Sequence, residues 1–97
     1  MDALTEAQIK QRLVHHPQWT LADDGQLHAD YTFANFMQAV LFLNAIAHLA
    51  QVADHHPDLC IHGFKHLSVR LMTHSANGIT NKDFNLIEQI DSLPRYS

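Results

Sequence analysis

The chain has 97 residues, 46% of them hydrophobic, which is enough for one compact domain over 1–97 and leaves no material for a second core. Six Lys and Arg against ten Asp and Glu give a formal net charge of −4, which argues against a phosphate-backbone binder, so no direct nucleic-acid partner is expected. Charged residues make up only 16% of the chain, low for a soluble monomer of this size, so part of the surface is expected to lie against another subunit.

Asp2 and Glu6 stand where a secretory or transit peptide would place basic residues ahead of an apolar run, so no targeting segment is legible and a cytoplasmic location is expected. Thr5, as a cap ahead of Glu6, with Ile9, Leu13 and Val14 as apolar positions, predicts a short helix that Pro17 stops. Trp19 to Ala22 and Leu27 to Phe33 flank the turn-forming run Asp23-Asp24-Gly25-Gln26. Leu27, Ala29, Tyr31 and Phe33 alternate with polar neighbours, which predicts a hairpin with one buried face.

Phe36, Val40, Leu43, Ala47, Ala50 and Ala53, reinforced by Ala39 and Ile46, recur at three- and four-residue intervals and predict a long central helix. Gln38, Asn44, His48 and Gln51 interrupt this stretch and make it too polar for a membrane span, so no membrane partner is expected. Pro57 fixes its end, because the residue before a proline is pushed out of the helical region; His55 and His56 are thereby placed at a helix C-terminus.

Leu59 to Ile61 and His66 to Thr73 bracket Gly63 and predict a second hairpin, with Thr73 to Gly78 as a polar loop after it. Cys60 lies in an apolar run and reads as a small buried hydrophobe; as a lone cysteine it fits a reducing compartment. Thr80 opens a last helix with Asp83 at its third position, an apolar face of Phe84, Ile87, Ile90 and Leu93, and Pro94 as its stop. The expected fold is α+β: a four-stranded antiparallel sheet with three helices on one face, in the order helix-strand-strand-helix-strand-strand-helix.

Nine histidines are the anomaly of the composition, and histidine is the side chain whose ordinary pKa lies near neutrality. The informative ones belong to a spaced pattern: Asp54-His55-His56-Pro57, then six residues, Phe64, nine residues, His74, and Asp83 beyond the loop Gly78-Ile79-Thr80. This pattern resembles the pterin-4a-carbinolamine dehydratase family, over roughly residues 19 to 93, and Phe33-Ala34-Asn35-Phe36 is similar to the aromatic opening of that family's long helix.

The resemblance implies an α+β fold, a homodimer or homotetramer, and a pterin substrate. The implied reaction is loss of water from 4a-hydroxytetrahydropterin to give the quinonoid dihydropterin, in recycling of the tetrahydropterin used by an aromatic amino-acid hydroxylase. It implies catalytic roles for His55, His56 and His74, substrate binding by Pro57, Thr73, Ser75 and Ala76, and supporting roles for Gln51, Asp54, Phe64 and Asp83. No cofactor is implied. Animal relatives also serve as a dimerisation partner for a transcription factor, so the alternative is a catalytically weak member acting as an interaction module.

Elimination of the 4a-hydroxyl needs a proton delivered to the departing oxygen and another removed from a ring nitrogen, and imidazoles do both near neutrality. The partial negative charge of a helix C-terminus favours His55 or His56 as the acid, leaving His74 as the base, though the reverse assignment fits the sequence as well. Taken alone, each feature has a structural explanation. His15-His16-Pro17 is expected to be only a helix stop, Asp83 a capping residue that also orders the His74 loop, and Phe64 either core or cleft wall; His28, His48, His62 and His66 are expected at the surface or an interface. No metal site is expected, since neighbouring His55 and His56 do not both aim readily at one ion.

Two positions depart from the family. Gln51 stands one helical turn before His55, where many members have an acidic residue, and keeps hydrogen bonding without negative charge; Leu59 stands where animal members often have an aromatic.

Overall fold

A computed structural model describes residues 2–95. Helix α1 (Glu6–Leu13) is followed by β1 (Trp19–Leu21), β2 (Leu27–Thr32), α2 (Phe36–Ala53), β3 (Asp58–His62), β4 (His66–Leu71), a single 3₁₀ turn (His74–Ala76) and α3 (Asn81–Asp91). The four strands form one antiparallel sheet in the order β1-β2-β4-β3. Class, element order and sheet match the expectation from sequence.

The two hairpins meet through β2 and β4, which pair from Leu27↔Leu71 to Thr32↔His66. This central pairing brings Leu27, Ala29 and Tyr31 alongside Leu67, Val69 and Leu71 on one face, all of them buried. Side chains alternate across a strand, so the opposite face carries His28, Asp30, Thr32, Ser68 and Arg70. Cys60 belongs to that outer face and is exposed, which corrects its reading as a buried hydrophobe: on β3 it is Leu59 and Ile61 that turn toward the core.

The helices cover the apolar face. On α2 the buried residues are Ala39, Phe42, Ile46 and Ala50, a stripe rotated from the expected one; Phe36, Ala47 and Ala53 are exposed. The reason is visible in the sequence: exposed Met37, Leu41 and Val52 share the outer side with Asn44, His48 and Gln51, so apolar residues fall on both sides and their recurrence alone does not single out the inner one. By length and mean hydropathy (1.5 over 18 residues) α2 would also pass for a membrane span, so its four polar residues do not decide the matter; its inner stripe packs on the sheet. Phe42 closes an aromatic group with Tyr31 (centroids 5.0 Å apart) and Phe33 (5.4 Å), and the Arg95 guanidinium lies 4.8 Å from the Tyr31 ring centre.

Both short helices begin with capping boxes, Thr5 with Gln8 and Thr80 with Asp83. The first His-His-Pro does more than stop α1. His16 Nδ1 lies 2.6 Å from Asp91 Oδ2 and Trp19 Nε1 donates to Asp91 Oδ1 at 3.1 Å, which ties the start of β1 to the end of α3.

Candidate functional site

The site begins with the way α2 ends. Asp54 adopts the left-handed conformation (φ 51°, ψ 44°), tolerated by Asp more readily than by most non-glycine residues. Its N–H bonds back to Gln51 O (3.3 Å) and that of His55 to Ala50 O (3.1 Å), the paired bonds of a Schellman ending. The chain therefore leaves the helix axis between Gln51 and His55. Helical spacing put these two side chains on one face, but Gln51 instead meets His56, with Oε1 3.2 Å from Nε2. An amide oxygen only accepts, so His56 Nε2 is the donor.

His55 turns inward. Its Nε2 lies 2.6 Å from Asp83 Oδ1, with Asp83 fully buried and His55 9% exposed. A carboxylate accepts only, so Nε2 carries the proton and donates it to Asp83. Nδ1 has no hydrogen-bond partner among the described residues, where every fully buried side-chain nitrogen or oxygen has one, so Nδ1 reaches solvent.

Asp83 accepts two further bonds. Its Oδ2 accepts from the Thr80 N–H (2.9 Å), closing the capping box, and from the Thr73 hydroxyl (2.7 Å); the Thr73 and Thr80 hydroxyls are 2.8 Å apart. On α3, Asp83, Phe84, Ile87 and Ile90 are all buried, so Asp83 occupies a core position and its charge must be met within the protein. The capping role expected from sequence is present; the pairing with His55 was not foreseen.

Thr73 is the hinge of the next segment. Its N–H donates to Gly78 O (2.8 Å) and its carbonyl accepts from Gly78 N (3.3 Å) and Ala76 N (3.1 Å), enclosing the turn His74–Ala76. The region expected as a polar loop is a closed turn, with His74 and Ser75 exposed on it and Ala76 half-buried. The N-terminal segment braces its far side: Leu4 N donates to Ile79 O at 2.7 Å, and a Cβ on Gly78 would come within 2.9 Å of Ala3 Cβ.

The structure therefore joins His55, Asp83, Thr73 and Thr80 in one buried network, with exposed His74 one residue beyond it and exposed His56 one residue beyond His55. Pro57, half-buried, leads from the pair into β3. Phe64 is not part of this region. It sits in the β3–β4 turn, at the end of the hairpin away from Pro57, with φ 55° and 60% exposure, so it is neither core nor a wall beside His55. Among the described residues no three or more His, Cys, Asp or Glu side chains are grouped to hold a metal ion.

Comparison with known proteins adds to this geometry. The sequence profile of the family described as Pterin 4 alpha carbinolamine dehydratase matches residues 2–93. A Chloroflexus aggregans protein provisionally named pterin-4-alpha-carbinolamine dehydratase is 38% identical over 93 residues, covering 96% of this chain and 98% of its own. One from Picosynechococcus with the same provisional name is 38% identical over 90 residues, covering 93% and 96%. The crystal structure of a Brucella melitensis protein titled transcriptional coactivator/pterin dehydratase superposes with TM-score 0.86 at 27% identity, covering 94% of this chain and 97% of that one. A pterin dehydratase-like protein described as a RuBisCO assembly factor in the alpha-carboxysome shares the fold, at TM-score 0.65 and 20% identity over 80% of this chain and 90% of that one. With its helix order, its sheet and nearly its whole length matched, the chain belongs to the pterin 4 alpha carbinolamine dehydratase family.

Proposed function

We propose that the chain removes water from a 4a-hydroxytetrahydropterin by histidine acid–base chemistry, giving the quinonoid dihydropterin. The observation that carries this reading is the buried Asp83–His55 pair, which leaves one imidazole nitrogen with solvent access. A carboxylate placed in this way fixes the ring tautomer and orientation and stabilises the charge the ring holds when doubly protonated. With Nε2–H committed to Asp83, the proton that moves is the one on Nδ1.

In the proposed reaction His55 Nδ1 gives its proton to the 4a-hydroxyl oxygen. The carbon–oxygen bond breaks, water leaves, and the electron pair of a neighbouring ring nitrogen forms the new C=N bond. The proton lost from the ring passes to His74, and both imidazoles reset by exchange with solvent. His56, Pro57, Ser75 and Ala76 contact the pterin, while Asp54 supports from the helix end. In this reading the reaction belongs to tetrahydropterin recycling, beside an aromatic amino-acid hydroxylase and in the cytoplasm.

The test follows loss of synthetic 4a-hydroxytetrahydropterin by absorbance, with and without protein. Acceleration above the spontaneous rate, reduced roughly 10²-fold in His55→Ala, supports the reading; a folded wild-type protein that leaves the spontaneous rate unchanged overturns it.

The outer side of α2 favours a second, compatible role in association. Phe36, Met37, Leu41 and Val52 are all exposed there, and α2 carries no charged side chain to repel a like surface. We propose that a second copy of the chain covers this face, in a homodimer or homotetramer. Sedimentation of wild type against Leu41→Lys tests it: the variant sediments as a smaller species, and a monomeric wild type contradicts the proposal.

A further inference from the structure

We infer that Thr73 is a positioning residue, which joins His55 to the turn bearing His74 by a hydrogen-bond chain running in one direction only. Family resemblance gives Thr73 a place in substrate binding, but its hydroxyl is buried and both of its bonds lie inside the protein. The inference rests on the proposed dehydratase reading for its effect on turnover, and on the hydrogen bonds alone for the chain itself.

The direction follows from what each group can donate. Asp83 Oδ2 only accepts, so the single proton of the Thr73 hydroxyl points to it across 2.7 Å. Thr73 Oγ1 has then no proton left for Thr80, and the 2.8 Å contact between the two hydroxyls must have Thr80 as donor. Thr80 Oγ1 in turn accepts from the Lys82 N–H at 3.2 Å. From the start of α3 through Thr80 and Thr73, every proton points to the carboxylate that also accepts from His55 Nε2. Thr80 and Asp83 are fully buried, so water cannot take the place of a missing partner without rearrangement.

Thr73 is the one member of the chain whose backbone belongs to the His74 turn. Its N–H and carbonyl close the turn against Gly78 and Ala76, while its hydroxyl is anchored to Asp83. The Thr73 hydroxyl is thus a direct side-chain link between the His74 turn and the carboxylate that holds His55. Valine matches threonine in shape but has no hydroxyl: it removes a donor from Asp83 and the side-chain acceptor of the Thr80 proton. Serine keeps both bonds.

The test compares wild type, Thr73→Ser and Thr73→Val by turnover and by NMR of the His55 ring. We expect Thr73→Val to lower kcat about tenfold or more, with KM little changed, and Thr73→Ser to stay within about threefold of wild type. The His55 Nε2–H resonance should be present and slow to exchange in wild type and Thr73→Ser, and lost or broadened in Thr73→Val. A folded Thr73→Val with unchanged kcat and unchanged ring signal overturns the inference, as does a Thr73→Ser as impaired as Thr73→Val. Wild-type protein alone gives a further check, independent of any variant folding: a slowly exchanging Thr73 hydroxyl proton supports the chain, and a rapidly exchanging one overturns it. Should wild type lack dehydratase activity, the NMR readouts still decide the chain, so failure of the proposed function and failure of this inference are distinguishable.

Discussion

His55 and Asp83 stand 28 positions apart in sequence and meet through Nε2 and Oδ1 at 2.6 Å, a buried imidazole–carboxylate pair joining the end of α2 to the first turn of α3. The same carboxylate caps α3, so helix start and candidate catalytic group share one set of bonds. Breaking a buried pair by removing one partner costs about 3–5 kcal/mol, because the other is left uncompensated.

His74 and His15, the first histidine of the first His-His-Pro, should separate cleanly in function. His74→Ala lowers turnover roughly 10²-fold with the fold intact, while His15→Ala, at an exposed position, leaves turnover unchanged. Steady-state kinetics with circular dichroism of both variants checks this. Equal losses at the two positions would show that the assignment confuses structure with chemistry.

Gln51 contacts His56 and not His55, because the left-handed Asp54 carries His55 away from it. Gln51→Glu places a carboxylate beside His56 Nε2, and turnover near neutral pH should rise roughly threefold or more. In a His56→Ala background the same substitution should do nothing. A rise that survives without His56 would return Gln51 to His55.

Asp91 offers the contrast to Asp83. It holds His16 Nδ1 and Trp19 Nε1, neither of them near the His74 turn in sequence or bonding. Asp91→Ala should lower stability by about 1–3 kcal/mol, read from denaturant unfolding, and leave kcat unchanged. Loss of turnover in a fully folded Asp91→Ala would extend the site to this end of α3.

Burial, with a smaller contribution from Asp91 and against the opposing pull of Arg95, raises the Tyr31 phenol above its ordinary value of 10.0. A folded-state pKa above the unfolded one contributes stability that is complete below about pH 10 and is lost as pH climbs past it. Alkaline titration should therefore show Tyr31 ionising together with loss of circular dichroism, and Tyr31→Phe should lack that step. A phenolate step attributable to Tyr31 at ordinary pH, with the fold intact, would contradict the burial argument.

Much of the fold was legible because capping, turn and alternation signals are local: Thr80 with Asp83 marked the start of α3, and Leu27 to Phe33 marked the inner face of β2. The inner face of α2 was not legible from the recurrence of apolar residues, since exposed Met37, Leu41 and Val52 put apolar side chains on the outer side as well. His55, His56, His74 and Asp83 could be singled out by spacing, but their bonding could not. The switch of Gln51 from His55 to His56 depends on a single left-handed residue, Asp54, which nothing in helical spacing announces. One signal for the buried pair was present all along: Asp83, Ile87 and Ile90 share a helical stripe, and an acid on a core stripe requires an internal partner.

The most direct test is a double-mutant cycle on the dehydration rate with Asp83→Asn, His55→Ala and the double variant. If Asp83 works through His55, the single His55→Ala loss of roughly 10² should already contain the effect of Asp83, and Asp83→Asn should cost little more in the His55→Ala background. Losses that multiply, with each variant folded, would mean that the pair seen at 2.6 Å is not the unit that performs the chemistry.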